Sequence, residues 1–183
     1  MDLFKENNEI PNQFLGVING CSLFLKREDL LHPIVSGNKF RKLKYILKKT
    51  ISNKIPVIAT FGGAFSNHLP ATATAGKMLG LKTIGFVRGE EWKNKIMKSS
   101  TLSFCHSQDM KLVCLSRKAY SKKESSFEVI QTLRKFPKFR LIPEGGPGEN
   151  LPSKYSTFIN SRPLIICKAS EEDKTFVLPS IFA

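Results

Sequence analysis

The sequence is poor in acidic residues. It carries 15 Asp+Glu against 29 Lys+Arg, a formal net charge of +14. It has no apolar run near the eighteen or so residues that a membrane-crossing helix needs. The opening residues, MDLFKENNEIPNQF, lack the basic-then-apolar order of an export signal. The four cysteines, Cys21, Cys105, Cys114 and Cys167, include no Cys-x-x-Cys pair. This argues against zinc and disulfide frameworks and for a reducing, cytoplasmic setting. There is no internal repeat and no low-complexity tract. The basic excess raises nucleic-acid binding as a function, but the charge is dispersed and interleaved with Glu90, Glu124 and Glu171. No zinc-finger or RNA-recognition pattern accompanies it, so nucleic acid is disfavoured as a partner, and a membrane is not expected.

What is present is an alternation of strand and helix patterns. Residues 22–26 read as a short strand. From 39 to 49, Phe40, Leu43, Ile46 and Leu47 recur at helical spacing. Residues 56–61 form an apolar strand ended by Gly62-Gly63. A helix is expected over 66–79, with Pro70 tolerated in its first turn and Gly80 as its stop. Further strands are expected at 82–87, 110–115 and 139–142, and helices at 93–105 and 124–135. Residues 164–167 and 176–178 are also strand-like. This order predicts an α/β fold, a parallel sheet with flanking helices, whose ligands bind at the carboxyl ends of the strands.

Two segments stand out. In VSGNKFRKLKYIL (35–47), Lys39 and Lys42 flank Phe40 after a Ser-Gly-Asn turn. Most lysines of a basic protein are merely solvated, because burying an unpaired ammonium is costly. In FGGAFSNHLPATATAG (61–76), a strand delivers a glycine pair and a helix opens at Ser66-Asn67. This is an anion-accepting geometry or simply a capped tight turn, and the local pattern favours neither. The segment is neither a P-loop nor a dinucleotide fingerprint.

Together LKREDLL, SGNKFRKLKYIL, FGGAFSNHLPATATAGKMLGL and IPEGG, in that order between about Leu25 and Gly146, resemble one family. It is the 1-aminocyclopropane-1-carboxylate deaminase and D-cysteine desulfhydrase family, pyridoxal-phosphate enzymes of the tryptophan-synthase-β-like fold. The resemblance implies a pyridoxal 5'-phosphate cofactor and a small amino-acid substrate, with release of ammonia and a 2-oxo acid. It assigns Lys39 as the lysine that joins the cofactor and serves as base, and Lys42 as a phosphate contact. Asn67 is assigned to the cofactor ring and the substrate, and Ser66 to the substrate carboxylate or proton movement. A lysine suits the covalent role because it supplies a primary amine whose pKa falls on desolvation or beside another cation. His68 stands where the family varies, and either contacts the substrate carboxylate or packs. Arg41 is read as structural, Asn38 as a helix cap, His32 and His106 as surface or loop residues, and Trp92 and Tyr155 as ordinary.

By the same resemblance, residues 1–52 begin a large domain, 53–146 form the small α/β domain, and 147–183 are a shortened or divergent tail. In the family a Gly/Thr-rich phosphate loop, a pyridine-nitrogen partner and a catalytic tyrosine follow the PEGG motif. No Gly-Thr-Gly loop follows Gly146 here. The expectation is therefore an incomplete large domain and an impaired enzyme, with a noncatalytic small-molecule or partner-binding remnant as the alternative. The apolar face of helix 39–49 is expected to lack its usual partners, leaving it exposed, covered by the tail or paired in a homodimer.

Overall fold

Alternating burial along one strand organises the molecule. In β3 (Val57–Gly63), Val57, Ala59 and Phe61 point to one side of a sheet and Ile58 and Thr60 to the other, and all five are buried. A strand buried on both sides needs helices on both sides. The computed structural model, which describes residues 10–145, 165–169 and 175–178, supplies them. β3 pairs in parallel with β4 (Lys82–Arg88) and β6 (Arg140–Ile142), and β4 with β5 (Lys111–Leu115), giving the order β5-β4-β3-β6. The fold is thus the expected parallel sheet with flanking helices.

One face carries α1 (Gly37–Ser52), α2 (His68–Met78) and α3 (Ser100–Ser107), and the other α4 (Arg117–Ser121) and α5 (Phe127–Leu133). Gly76 sets how closely α2 lies on the sheet. A Cβ there would stand 2.1 Å from Cγ2 of Thr83, so a larger residue forces the helix away. Gly62 plays the same part at the strand's exit, where a Cβ would meet Leu69 of α2 at 2.7 Å.

Several boundaries move. The helix expected from residue 93 starts at Ser100, after two 3-10 turns at Glu90–Trp92 and Ile96–Lys98. Ser99 decides the start: its Oγ accepts the Leu102 amide at 3.2 Å and donates to the Ala64 carbonyl at 2.7 Å. The expected helix 124–135 shortens to α5 after a 3-10 turn at Lys123–Ser125, and α4 is a short helix that was not expected. Ser116 caps α4 by accepting the Ala119 amide at 3.1 Å.

The expectation that the apolar face of α1 would lack partners is corrected. Phe40, Leu43 and Leu47 are buried against Ile58, Ala71, Ala75 and Ile142, so α1 packs on α2 and the parallel sheet. Beside this unit, β1 (Asn12–Ile18) and β2 (Cys21–Lys26) form a hairpin around Asn19-Gly20, both with positive φ, the type I′ arrangement that an Asn-Gly pair favours. β7 (Ile165–Ala169) and β8 (Thr175–Leu178) extend it into a second, antiparallel sheet, β1-β2-β7-β8. Tyr155 lies outside the described residues.

Candidate active site

The connections β3-α2-β4 and β4-α3-β5 cross one face of the sheet, and β5-α4-α5-β6 crosses the other. The chain thus leaves β3 over one face and enters β6 from the other, and a change of face between neighbouring strands is where a crevice at their carboxyl ends is expected. Two clefts lie on either side of the Ser66-Asn67 step.

Lys39 and Asn67 line the first, about 410 Å³ in volume, with Pro33, Ile34, Ser36 and Pro70. The approach to α1 is built by side chains. Nδ1 of His32 accepts the amides of Ile34 and Val35 at 3.1 and 2.9 Å, so this histidine shapes the loop rather than decorating a surface. Gly37 takes φ +51, where glycine is favoured. The cap position falls on Ser36, not Asn38. Arg41 donates to Oε1 of Glu28 from Nη2 and Nε, at 2.9 and 3.2 Å. It ties α1 to the preceding 3-10 turn, which is the structural part expected of it. Lys39 is half-buried. Burial, and then the neighbouring Lys42 charge, hold its ammonium below the usual lysine range, and burial does the same for Lys42.

Ser66 lines the second cleft, about 480 Å³, with Gly63, Arg88, Trp92, Arg117 and Glu144. Its Oγ accepts the His68 amide at 3.3 Å. Trp92 meets Phe65 edge-on at 5.4 Å between ring centres. Glu144, the carboxylate of the PEGG segment, accepts from the Tyr120 hydroxyl at 2.6 Å and from the Lys123 ammonium. Burial pushes its carboxyl up, but Lys123 and Tyr120 together outweigh that and hold it below the usual range.

His68 lines neither cleft. It is 1 % exposed, and its Nε2 lies 2.8 Å from Oγ1 of Thr60. Of the two parts left open for it, contact with a substrate carboxylate and packing, this placement favours packing. Burial, then Lys39 and Lys42, push its imidazole down to about 4 against a weaker pull from Glu144, so it is neutral at pH 7. Thus Lys39, Lys42, Asn67 and His68 gather around the starts of α1 and α2, with Ser66 opening to the other side. Sequence reasoning missed Arg88, Arg117 and the Tyr120-Lys123-Glu144 cluster. The available signal was an arginine closing β4 in register with Gly63.

No family model matches the chain. A Thermotoga maritima protein that bears the provisional name 1-aminocyclopropane-1-carboxylate deaminase is 34% identical over 142 residues, covering 74% of this chain and 44% of the relative. The bifunctional D-cysteine desulfhydrase/1-aminocyclopropane-1-carboxylate deaminase of Arabidopsis thaliana is 40% identical over 68 residues, 37% of this chain and 17% of that protein. The crystal structure of an ACC deaminase homologue superposes with a TM-score of 0.59 at 29% identity, covering 74% of this chain and 42% of that one. Over these stretches the chain is similar to members of the deaminase and desulfhydrase family. It spans less than half the length of the relatives it matches. Members of the family depend on pyridoxal phosphate. The first cleft fits such a group. It is of small-molecule size, it offers a half-buried primary amine whose proton is held less tightly than usual, and Asn67 lines it as well. Among the described residues no cluster of three metal-ligating side chains occurs.

Proposed function

We propose that the chain derives from a pyridoxal-phosphate-dependent deaminase or desulfhydrase acting on a small amino acid, 1-aminocyclopropane-1-carboxylate or D-cysteine. The products are ammonia and a 2-oxo acid. The observation that carries this reading is the meeting of Lys39 and Asn67 in one cleft. Residues 53–146 correspond to the small domain of the family, 1–52 to the start of its large domain and 147–183 to a divergent tail.

When bound, the cofactor supplies the electron sink for bond breaking at the substrate. The chain's residues do the rest. Lys39 would hold the cofactor through its amine and would take a proton from the substrate. Its weakened hold on its own proton favours both tasks. Lys42, one turn on, adds a positive charge for the phosphate. Asn67 would hydrogen-bond the ring, and Ser66 would face the substrate. Of the family's phosphate contacts these 183 residues retain Lys42 but no Gly-Thr-Gly loop. Each missing charge-assisted hydrogen bond is worth roughly 1.5–3 kcal/mol, so two or three lost bonds weaken binding by about two to six powers of ten. Turnover by this chain alone is accordingly slow or nil.

The test is to mix the purified chain with pyridoxal phosphate, reduce with borohydride and map the pyridoxyl group by peptide mass spectrometry. Modification concentrated on Lys39, and lost from that peptide in Lys39→Ala, is the expected result. Modification spread over surface lysines, with Lys39 spared, refutes the reading and leaves a noncatalytic binding module. Rapid ammonia release from either amino acid would refute the impairment.

A further inference from the structure

The sheet face opposite the Lys39 cleft carries a further groove of small-molecule size, about 390 Å³. β6 is an edge of the parallel sheet and pairs only with β3. At this edge Ile130, Leu133, Phe136, Phe139 and Leu141 line the groove. Leu133 reaches inward to the core, but Ile130 is 36 % exposed and Phe139 39 %. Apolar surface left in water gains by being covered. Two charges line the same groove, the Glu124 carboxylate and the Arg134 guanidinium. Both are exposed. Among the described residues neither side chain makes a hydrogen bond or an ion pair, with the other or with any third group. One exposed charge alone is ordinary solvated surface. A free cation and a free carboxylate on one apolar groove form a pattern that a ligand can match part by part.

We infer that the groove between α5 and β6 binds a free amino acid with a large apolar side chain, its carboxylate on Arg134, its ammonium on Glu124 and its side chain against Phe136 and Phe139. The guanidinium suits the first contact because its planar fork donates two parallel hydrogen bonds to a carboxylate. An ionised glutamate only accepts, so it suits an ammonium, which only donates. The two phenylalanines favour an aromatic side chain, which can meet them offset or edge-on. A zwitterion outdoes a plain acid or a plain amine because it alone uses both charges. The charges are exposed, so they add more selectivity than strength, and the affinity is on the order of millimolar. The groove shares no lining residue with the two clefts of the candidate active site, so the inference does not depend on the cofactor reading.

The test titrates the 183-residue chain with L-phenylalanine, with phenethylamine, which lacks the carboxylate, with 3-phenylpropionate, which lacks the ammonium, and with L-alanine, which lacks the ring. Saturation-transfer NMR, suited to weak binding, reads each dissociation constant. L-phenylalanine is expected to bind, each truncated aromatic roughly threefold to tenfold more weakly, and L-alanine not detectably. Arg134→Gln should weaken L-phenylalanine to the level of phenethylamine and leave phenethylamine unchanged. Glu124→Gln should weaken it to the level of 3-phenylpropionate and leave that acid unchanged. Both positions are exposed and make no side-chain bond among the described residues, so folding is not at stake. Lys39→Ala should change none of these values. Sedimentation velocity is run on the same samples. Equal binding of a truncated aromatic, full affinity in both glutamine variants, or no saturation transfer from the chain to L-phenylalanine overturns the inference. So does a dimer that Phe139→Ser dissociates and that L-phenylalanine leaves intact, which would give the groove to a second copy of the chain.

Discussion

His68 donates its Nε2–H to Oγ1 of Thr60 across 2.8 Å, and the Thr60 hydroxyl hands its own proton to the carbonyl of Ile142 at 2.9 Å. The order follows from the proton count. A hydroxyl has one proton, Ile142 receives it, and the bond from His68 must therefore run inward. This relay ties the start of α2 to the end of β6 through the middle of β3. Those are the two edges of the crevice.

Thr60→Val keeps the shape and removes the relay. It strands the His68 N–H and the Ile142 carbonyl in a fully buried place, at about 1–3 kcal/mol each, so the loss should be roughly 2–6 kcal/mol. Thr60→Ser keeps the hydroxyl and should lose less. Urea unfolding at pH 7 compares them, and equal stability of Thr60→Val and wild type would show that the relay holds nothing.

The same histidine makes stability fall in acid. Its imidazole is pushed from an ordinary 6.5 down to about 4 in the folded protein. The unfolded chain thus binds the proton more readily between those values. The stabilisation is complete above about pH 6.5 and is lost as pH falls toward 4, by about 3 kcal/mol in all. His68→Gln can still donate to Thr60 but does not titrate. Its stability should therefore drop less between pH 7 and pH 4.5 than that of wild type. Losses from Glu144 are common to both proteins and cancel. Parallel pH profiles would remove His68 from the account.

Strand and helix order was legible because β3 and β4 are apolar runs between turn residues, and α1 shows its buried face at Phe40, Leu43 and Leu47. β1 was missed although Asn19-Gly20 is a hairpin signal. Phe14, Leu15, Val17 and Ile18 are all half exposed or more, so the strand has no alternation to read. Lys39, Ser66 and Asn67 were found through motif spacing. Arg88 and Tyr120 were not, since the first owes its position to the pairing of β4 with β3 and the second to the packing of α4 on the sheet, and a lone arginine or tyrosine has no local signature.

Tyr120 tests the other wall of the crevice. Its ring packs edge-on against Phe61 at 5.9 Å, the Lys123 ammonium lies 3.6 Å from its centre, and its hydroxyl donates to Glu144 at 2.6 Å. Burial, then Glu144, drive its hydroxyl well above the usual range, so it remains a donor at any working pH. Tyr120→Phe should cost roughly 1–2 kcal/mol, at the low end for a bond to a charge because Glu144 is exposed. The cost should nearly vanish when Glu144→Ala, which removes the acceptor, is already present. A double-mutant cycle with no coupling would show that the contact contributes nothing.

The last prediction concerns which lysine reacts first. Lys39 is held below the ordinary lysine range by burial foremost and by the Lys42 charge second. An amine reacts only when deprotonated, so trinitrobenzenesulfonate should modify Lys39 at lower pH than the exposed lysines. Lys42→Gln removes the nearby charge while burial remains. Lys39 should then hold its proton more tightly, and its labelling midpoint should move to higher pH without reaching that of the exposed lysines. Lys42→Arg keeps the charge and should leave the midpoint where it is. The measurement is labelling across a pH series, read peptide by peptide, and it needs no cofactor. An unchanged midpoint in Lys42→Gln would mean that burial alone tunes Lys39. A midpoint moving lower would mean that the two ammonium groups do not face each other as the first cleft requires.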